Sequence, residues 1–422
     1  MPVTVTPALP ADSVVDFLGV NVHGTGVEYT ATSSVMAALA FVGIRHVRMG
    51  RVNVGQAGQQ NIAVGCASAG IGVMAIIDDF AAATPASRMA EVASNWGGVT
   101  VDYWENPNEP QNGFANPASW PQTVGTNGPN SSDLDLGIDE VNRQLALIKS
   151  TVGVGRPILG PSMSMRNITG WYNVLGDITA SVDGGSCHSY QGGQPPNQGT
   201  LPLSQNASEA TAMYGSKPLI LSETGGHDFI ATVGTHKPTS VAAMAAYAGR
   251  MPFEAATAGF SKAYFYELVD ESAKTSPDQE GHFGMFDSSW NPKPYANALR
   301  NLTTLYSDAA AGTFTPASLP VQVSGAGDTT WTLHARKNRT HLLSLWSPTA
   351  SIWNPNTLLD TTFTPLSVTI TLGFTAKITV RRPSGVDSPP VRTNSITIGL
   401  GADLTVLEIE PPAPTVHAMR RF

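Results

Sequence analysis

Charge, cysteine and long apolar runs are all scarce in this chain, and each shortage excludes something. Only 13% of its 422 residues are charged, and the balance is acidic, with a formal net charge of -8 and a pI near 5.6. Without a cluster of Lys and Arg, the chain lacks the electrostatic footprint that nucleic acid or an anionic membrane requires. Cys66 and Cys187 are the only cysteines and neither sits in a CxxC pair. That argues against a disulfide framework or a thiolate zinc site and for two buried thiols. No run approaches the ~18 apolar residues of a membrane span, and "MPVTVTPALP" has neither the basic nor the apolar region of a signal peptide. A soluble protein is expected, secreted or cytoplasmic. Sequons at Asn206 and Asn338 matter only in a eukaryotic secretory route.

What is present is ample apolar material, 41% of the chain, over a length that exceeds the usual single core. Up to about residue 305, short β-rich runs alternate with stretches of helical length. The runs are "DFLGVNVHG", "IRHVRMG", "GVMAIIDD", "VDYWENPNEP", "PILGPS", "SVDGGSCHSY", "KPLILSE" and "KAYFYELVD". Between or after them come helix-like segments such as "SSVMAALAFVG", "IDEVNRQLALIKS", "TSVAAMAAYAGR" and "PKPYANALRNLTTLYSD". Eight strands, each followed by a helix, make a (β/α)8 barrel over residues 1–310. An open doubly wound sheet is the rival, but "GVNVHGTG" spaces its glycines wrongly for the GxGxxG phosphate turn. From residue 311 to 422 the texture turns Thr/Val-rich with Pro, Gly and Asn punctuation, which predicts a smaller antiparallel β-sandwich. The N-terminal "PVTVTP" is a candidate extra edge strand for that sandwich.

In such a barrel the active site forms at the C-terminal ends of the strands. Those ends are polar almost throughout: Asn21 and His23, Arg48, Asp78 and Asp79, Asn108 and Glu109, Ser162, His188 and Tyr190, Glu223, then Glu267 and Asp270. Glu109 and Glu223 each close a run and are followed by a turn. They belong to strands four and seven, which lie across the barrel from each other. Two carboxyl groups facing across a narrow cleft are what glycosidic bond hydrolysis uses, one to protonate the leaving oxygen and one to attack the anomeric carbon.

"WENPNEP" and "LILSETGG" resemble the retaining glycoside hydrolases of clan A, whose acid/base is the Glu of an Asn-Glu pair after strand four and whose nucleophile ends strand seven. "RHVRMG", "HSY" and "HFGMFDSSWNPKPYANAL" are similar to the strand-two, strand-six and last-helix segments of these enzymes, and a C-terminal sandwich is common in families thirty-nine, thirty and fifty-one. The resemblance implies Glu109 as acid/base, Glu223 as nucleophile, Asn108 on the sugar 2-hydroxyl, Tyr190 and Arg48 supporting Glu223, and His188 lining the subsite. It departs at strand eight, where many members place a Trp under the sugar. Here Tyr264 or Tyr266 takes that place, and Glu267 is an added carboxylate.

The remaining candidates carry two readings each. Glu105 reads as structural, bonding inside the barrel. Asp78 and Asp79 serve equally as hydroxyl ligands or as a helix cap, and His23 as a subsite residue or a satisfied rim histidine. His227 and Asp228 read as solvated loop polarity. Among Trp104, Trp120, Trp171 and Trp290, the loop residues Trp120 and Trp290 are the ones favoured as sugar-stacking platforms. No cofactor is expected, and an oligo- or polysaccharide, taken as neutral, is the expected substrate. The rivals are a metal-dependent barrel hydrolase, which would need more His ligands than "NVHG" supplies, and a barrel that binds carbohydrate without cleaving it.

Overall fold

The computed structural model describes residues 3–412 apart from 25, 50–56, 78–89, 91, 93, 95, 97–98, 100, 112–115, 120–136, 153–155, 165–169, 200–201, 231–235, 275–278, 309–311 and 326. Two short N-terminal strands, β1 (Thr4–Thr6) and β2 (Leu9–Pro10), precede eight parallel strands. These are β3 (Leu18–Val22), β4 (His46–Met49), β5 (Gly72–Ile76), β6 (Val101–Glu105), β7 (Ile158–Leu159), β8 (Gly185–Tyr190), β9 (Leu219–Gly225) and β10 (Phe260–Phe265). Each of the eight anticipated runs carries one.

The strands hydrogen-bond in the order β7-β6-β5-β4-β3-β10-β9-β8. Bridges Leu159↔Gly184 and Met163↔Cys187 join the two ends and close the cylinder. The runs are apolar because both faces of such a strand are buried. Outward residues such as Val20, Val47, Val73 and Leu221 join the large cluster shared with the helices, while Met74, Leu159, Ile220 and Tyr264 fill the barrel interior. Tyr264 fits only because Gly19 lies opposite: a Cβ there would stand 2.3 Å from its ring. Cys66 and Cys187 are buried free thiols, both pushed up to about 12 by burial. Among the described residues no helix is long and apolar enough to cross a membrane.

Beyond the barrel come β11 (Leu319–Gly325), β12 (Thr330–Ala335), β13 (His341–Trp346), the hairpin β14 (Trp353–Asn354) and β15 (Leu359–Asp360), β16 (Leu366–Arg381), β17 (Val391–Leu400) and β18 (Thr405–Glu410). β1 pairs antiparallel with β11, and β2 pairs parallel with β12. Two separate runs, "LSVTITLGF" and "AKITVRRPSG", form one strand, β16. Its register against β17 breaks between Thr371 and Ala376, so its first half pairs with β11 and its second with β18. The two layers are therefore one sheet folded at that break, enclosing Val321, Ile370, Ile378, Leu345 and Ile409.

This sheet packs on the helices Val241–Ala258 and Pro294–Tyr306. Arg250 is fully buried there and donates through Nη1 to the carbonyls of Ser347, Ala350 and Ala402 at 3.0, 3.1 and 2.7 Å. Its Nε faces Glu254 at 2.8 Å.

Candidate active site

The site is built around one guanidinium. Arg48 follows Val47 on β4, and strand alternation turns it into the barrel just above the apolar filling. Its shortest hydrogen bonds go to oxygens of four side chains. Nε and Nη2 donate to the two oxygens of Glu105 at 3.0 and 2.5 Å, and Nη2 also to Asn108 Oδ1 at 2.6 Å. Nη1 donates to Asn21 Oδ1 at 2.8 Å and to Glu223 Oε1 at 2.6 Å. Burial opposes the Arg48 charge, but Glu105 and Glu223 outweigh it and hold the group above its ordinary value. Glu105 thus anchors Arg48, in line with its structural reading.

Glu109 reaches the mouth through an abrupt end to β6. After Glu105 the chain passes the Asn106-Pro107 peptide, which is cis, and pairs briefly with the segment after β7. Ser162 N donates to Pro107 O at 3.1 Å and Glu109 N to Ser162 O at 2.8 Å. Glu109 itself has φ 47°, a left-handed conformation uncommon for a residue with a Cβ. The fixed Oδ1 of Asn108 directs its amide NH2 away from Arg48.

Glu223 reaches the same place by a different device. Counting by two from Ile220, which faces inward, would put Glu223 on the outer face. β9, however, carries one extra residue: Cys187 and His188 on β8 pair with Leu221 and Glu223, and Ala263 and Phe265 on β10 pair with Leu221 and Thr224. The bulge re-aims Glu223 inward. Ser222 is retained inside by Asn21 Nδ2, which donates to its carbonyl at 3.0 Å, and by Ser186 Oγ, which donates to its hydroxyl at 2.6 Å.

The two carboxylates then converge. His188 Nδ1 lies 2.7 Å from Glu109 Oε1 and 3.4 Å from Glu223 Oε2, and one carboxylate oxygen of each Glu falls within 4.8 Å of the other and of the imidazole. Since a carboxylate only accepts, His188 Nδ1 is assigned as the donor to Glu109, while Nε2 faces Arg48 Nη2 at 3.4 Å. Tyr190 Oη donates to Glu223 Oε2 at 2.6 Å. Burial alone would raise the Glu223 carboxyl. His188, Arg48 and the Tyr190 hydroxyl outweigh it and hold the group below its ordinary value. Burial and the Glu223 charge push Tyr190 well up, so it remains a donor.

A second cluster lies under the end of β10. His23 faces Glu271 through Nδ1 and Glu267 through Nε2, the latter at 3.7 Å. Tyr29 Oη donates to Glu267 Oε2 at 2.9 Å, while Glu267 Oε1 has no hydrogen-bond partner. Burial lifts Glu267 to about 8, with the Glu271 charge adding to it and His23 opposing. Burial works against protonated His23, yet Glu267 and Glu271 hold it above its ordinary value.

Several expected subsite residues take other places. Arg48, His188 and Glu267 are 1%, 0% and 0% exposed, so they hold the groups around the cleft instead of lining it. Tyr264 is in the interior filling. Tyr266 is at the mouth, half-buried, its ring 5.4 Å from His23 and 6.3 Å from Tyr190. The Trp290 ring packs on Phe286, which meets Phe41 on the outer helix Thr32–Val42, and so belongs to the hydrophobic layer outside the strands. Trp104 and Trp171 are also in that layer. The sequon residue Asn206 is buried and donates to His188 O at 3.0 Å. Asp78, Asp79 and Trp120 lie outside the described residues. Phe283, Tyr29, Glu271 and His236 were not anticipated, because they sit off the strand ends, where no periodicity points to them.

Among the described residues, three groups have ligand atoms close enough for an ion: Glu109/His188/Glu223, His23/Glu267/Glu271 and Asp228/Asp270/His282. In the third, Lys293 Nζ already bridges Asp228 and Asp270 at 2.9 and 2.7 Å. In the second, His23 supplies the cation between the two carboxyl groups.

A closed parallel barrel with paired carboxylates at opposite strand ends, carrying a C-terminal β-sheet, defines a structural class. No family model and no curated protein matches the chain. Solved structures do. A family 39 glycoside hydrolase from Bacteroides cellulosilyticus WH2 aligns with TM-score 0.64 and 13% identity over 96% of this chain and 83% of its own. A glucosidase from Croceicoccus marinus aligns at 0.62 and 13% over 98% and 97%. A GH51 arabinofuranosidase from Xanthomonas axonopodis pv. citri aligns at 0.58 and 12% over 97% and 98%. The chain has the fold of the clan A glycoside hydrolases, a TIM barrel followed by a β-sheet region.

Proposed function

We propose that this protein is a retaining glycoside hydrolase acting by double displacement, with Glu223 as nucleophile and Glu109 as acid/base. The observation that carries the reading is the approach of a Glu109 oxygen to within 4.8 Å of a Glu223 oxygen. Retaining enzymes hold their carboxyl groups roughly 5 to 5.5 Å apart, whereas inverting ones leave about 6.5 to 9.5 Å for a water.

Glu223, ionised and braced by Arg48 and Tyr190, attacks the anomeric carbon as Glu109 gives its proton to the departing oxygen. The glycosyl ester forms and the glycosidic bond breaks. Glu109 then takes a proton from water, which attacks the same anomeric carbon, breaking its bond to Glu223, inverting that centre a second time and freeing the carboxylate. The Asn108 amide suits a sugar 2-hydroxyl, and Tyr266 and His23 border the bound sugar. An oligo- or polysaccharide of neutral sugars is the proposed substrate, and no cofactor takes part in these steps.

The test is a screen of aryl glycosides and polysaccharides with wild type, Glu109→Ala and Glu223→Ala, following product anomers by NMR. The reading requires retained configuration in wild type and loss of turnover in Glu223→Ala, with azide yielding product of opposite configuration in that variant. Full turnover by Glu223→Ala would refute the assignment.

A further inference from the structure

Tyr190 donates to one oxygen of Glu223, yet its partner across the sheet cannot brace it. It is the last residue of β8, half-buried, and pairs with Gly225 on β9. Gly225 brings no side chain to the ring and has no room for one, since a Cβ there would stand 2.7 Å from Tyr266 O. The bracing comes from other rings.

Three rings meet edge-on at this point, and the one that is fully buried is Phe283. It lies 5.8 Å from Tyr190 with planes at 76° and 5.4 Å from Tyr266 at 74°, while Tyr190 and Tyr266 are 6.3 Å apart at 80°. Each pair has the edge-to-face arrangement that the ring quadrupoles favour. His227 packs on Phe283 as well, at 5.2 Å. Phe283 arrives there because residues 283–286 dock against the chain that leaves β10. Glu267 N donates to Phe283 O at 3.2 Å, Met285 N to Glu267 O at 2.9 Å and Phe286 N to Leu268 O at 3.0 Å. Gly284 permits the approach, since a Cβ there would stand 2.1 Å from Asp270 N.

Phe283 is 2% exposed and has no polar atom, so it offers nothing to a bound sugar. Its edge contact fixes where the Tyr190 hydroxyl can stand, and a 2.6 Å hydrogen bond weakens as its donor tilts away. We propose that Phe283 is a positioning residue for the nucleophile, holding the Tyr190 ring so that its hydroxyl stays on Glu223 Oε2. The inference rests on the glycosidase reading and deepens it, adding a residue that acts on Glu223 through one intervening ring. Arg48, His188, Glu109 and Tyr266 also face this carboxylate and are unchanged in every variant of the test.

The experiment is a double-mutant cycle between Phe283→Leu and Tyr190→Phe, read as kcat, KM and the acidic limb of kcat/KM on the aryl glycoside that wild type cleaves fastest. Leucine keeps the site apolar and most of its volume filled while removing the ring edge. Tyr190 bonds the ionised carboxylate, so loosening that bond makes Glu223 hold its proton to higher pH. Loss of one hydrogen bond made in the transition state corresponds to about tenfold. The expected result for Phe283→Leu is a fall of about tenfold in kcat with KM within about twofold of wild type, and an acidic limb moved to higher pH as in Tyr190→Phe. Added to Tyr190→Phe, it should cost less than about twofold more. Phe283→Met, also apolar and without a ring, should give the same pattern. A merely structural role would lower stability without moving the limb. An unmoved limb in the folded Phe283 variants, or a loss as large in the Tyr190→Phe background as in wild type, would overturn the inference alone. Failure of wild type to cleave any glycoside in the screen would overturn the glycosidase reading beneath it.

Discussion

At the scale of single residues, the site is an exercise in compensating a buried cation. Arg48 has a carboxylate on either side, and removing it leaves Glu105 and Glu223 facing each other without a partner. Breaking a buried pair in this way costs about 3–5 kcal/mol, so Arg48→Met should lose that much stability in urea titrations as well as its activity. As the proposed nucleophile Glu223 must be ionised, and it is held below its ordinary value, so the acidic limb of kcat/KM should fall below the usual glutamate range. Tyr190→Phe removes one of the groups holding it down, and the limb should move to higher pH in a pH-rate profile. Glu109→Ala should cut kcat/KM about 10²- to 10⁴-fold on substrates with poor leaving groups, and least on nitrophenyl glycosides, which need no proton. Glu109 and Glu223 were legible in the sequence because each closes an apolar run and precedes a turn. Phe283 was not, because a phenylalanine inside a loop has no pattern to mark its neighbours.

At the scale of elements, strand position was readable and side-chain direction was not. All eight barrel runs could be counted from apolar stretches and the helical segments between them. The bulge in β9 could not, since it depends on pairing with β8 and β10, and without it Glu223 would face the helices. β16 reads as two strands because glycine is a strand breaker in sequence, although the apolar alternation from Leu366 to Val380 runs on through Gly373. Trp290 misled because a tryptophan in a loop after a strand can turn either way, and the hydrophobic layer around Phe286 captured it. The fit of Tyr264 over Gly19 is testable at this scale. Gly19→Ala forces a methyl into the Tyr264 ring and should cost about 1–3 kcal/mol. Combining it with Tyr264→Val should cost less than the sum of the two single changes, read from a double-mutant cycle of urea midpoints.

At the scale of the whole molecule, a barrel and a folded sheet share a buried, partly charged contact. Glu254, lifted to about 7 by burial despite Arg250, is joined by Glu267 at about 8 among the carboxyl groups that the folded chain keeps protonated longer than the unfolded chain does. Between pH 4.5, their ordinary value, and those higher values, the folded state binds more protons, so stability falls as pH rises through this window. Glu267→Gln and Glu254→Gln should each flatten the decline of Tm with pH over that range; an unchanged slope in both would contradict the assignment. The central claim remains the convergence of two carboxyl groups on one sugar bond. It is tested most directly by trapping the reaction with a 2-deoxy-2-fluoro glycoside of the sugar that wild type accepts, followed by peptide mass spectrometry. The account predicts a covalent glycosyl adduct on the peptide containing Glu223, formed in wild type and missing from Glu223→Ala; an adduct on any other residue, or turnover with inverted configuration and no adduct, would contradict it.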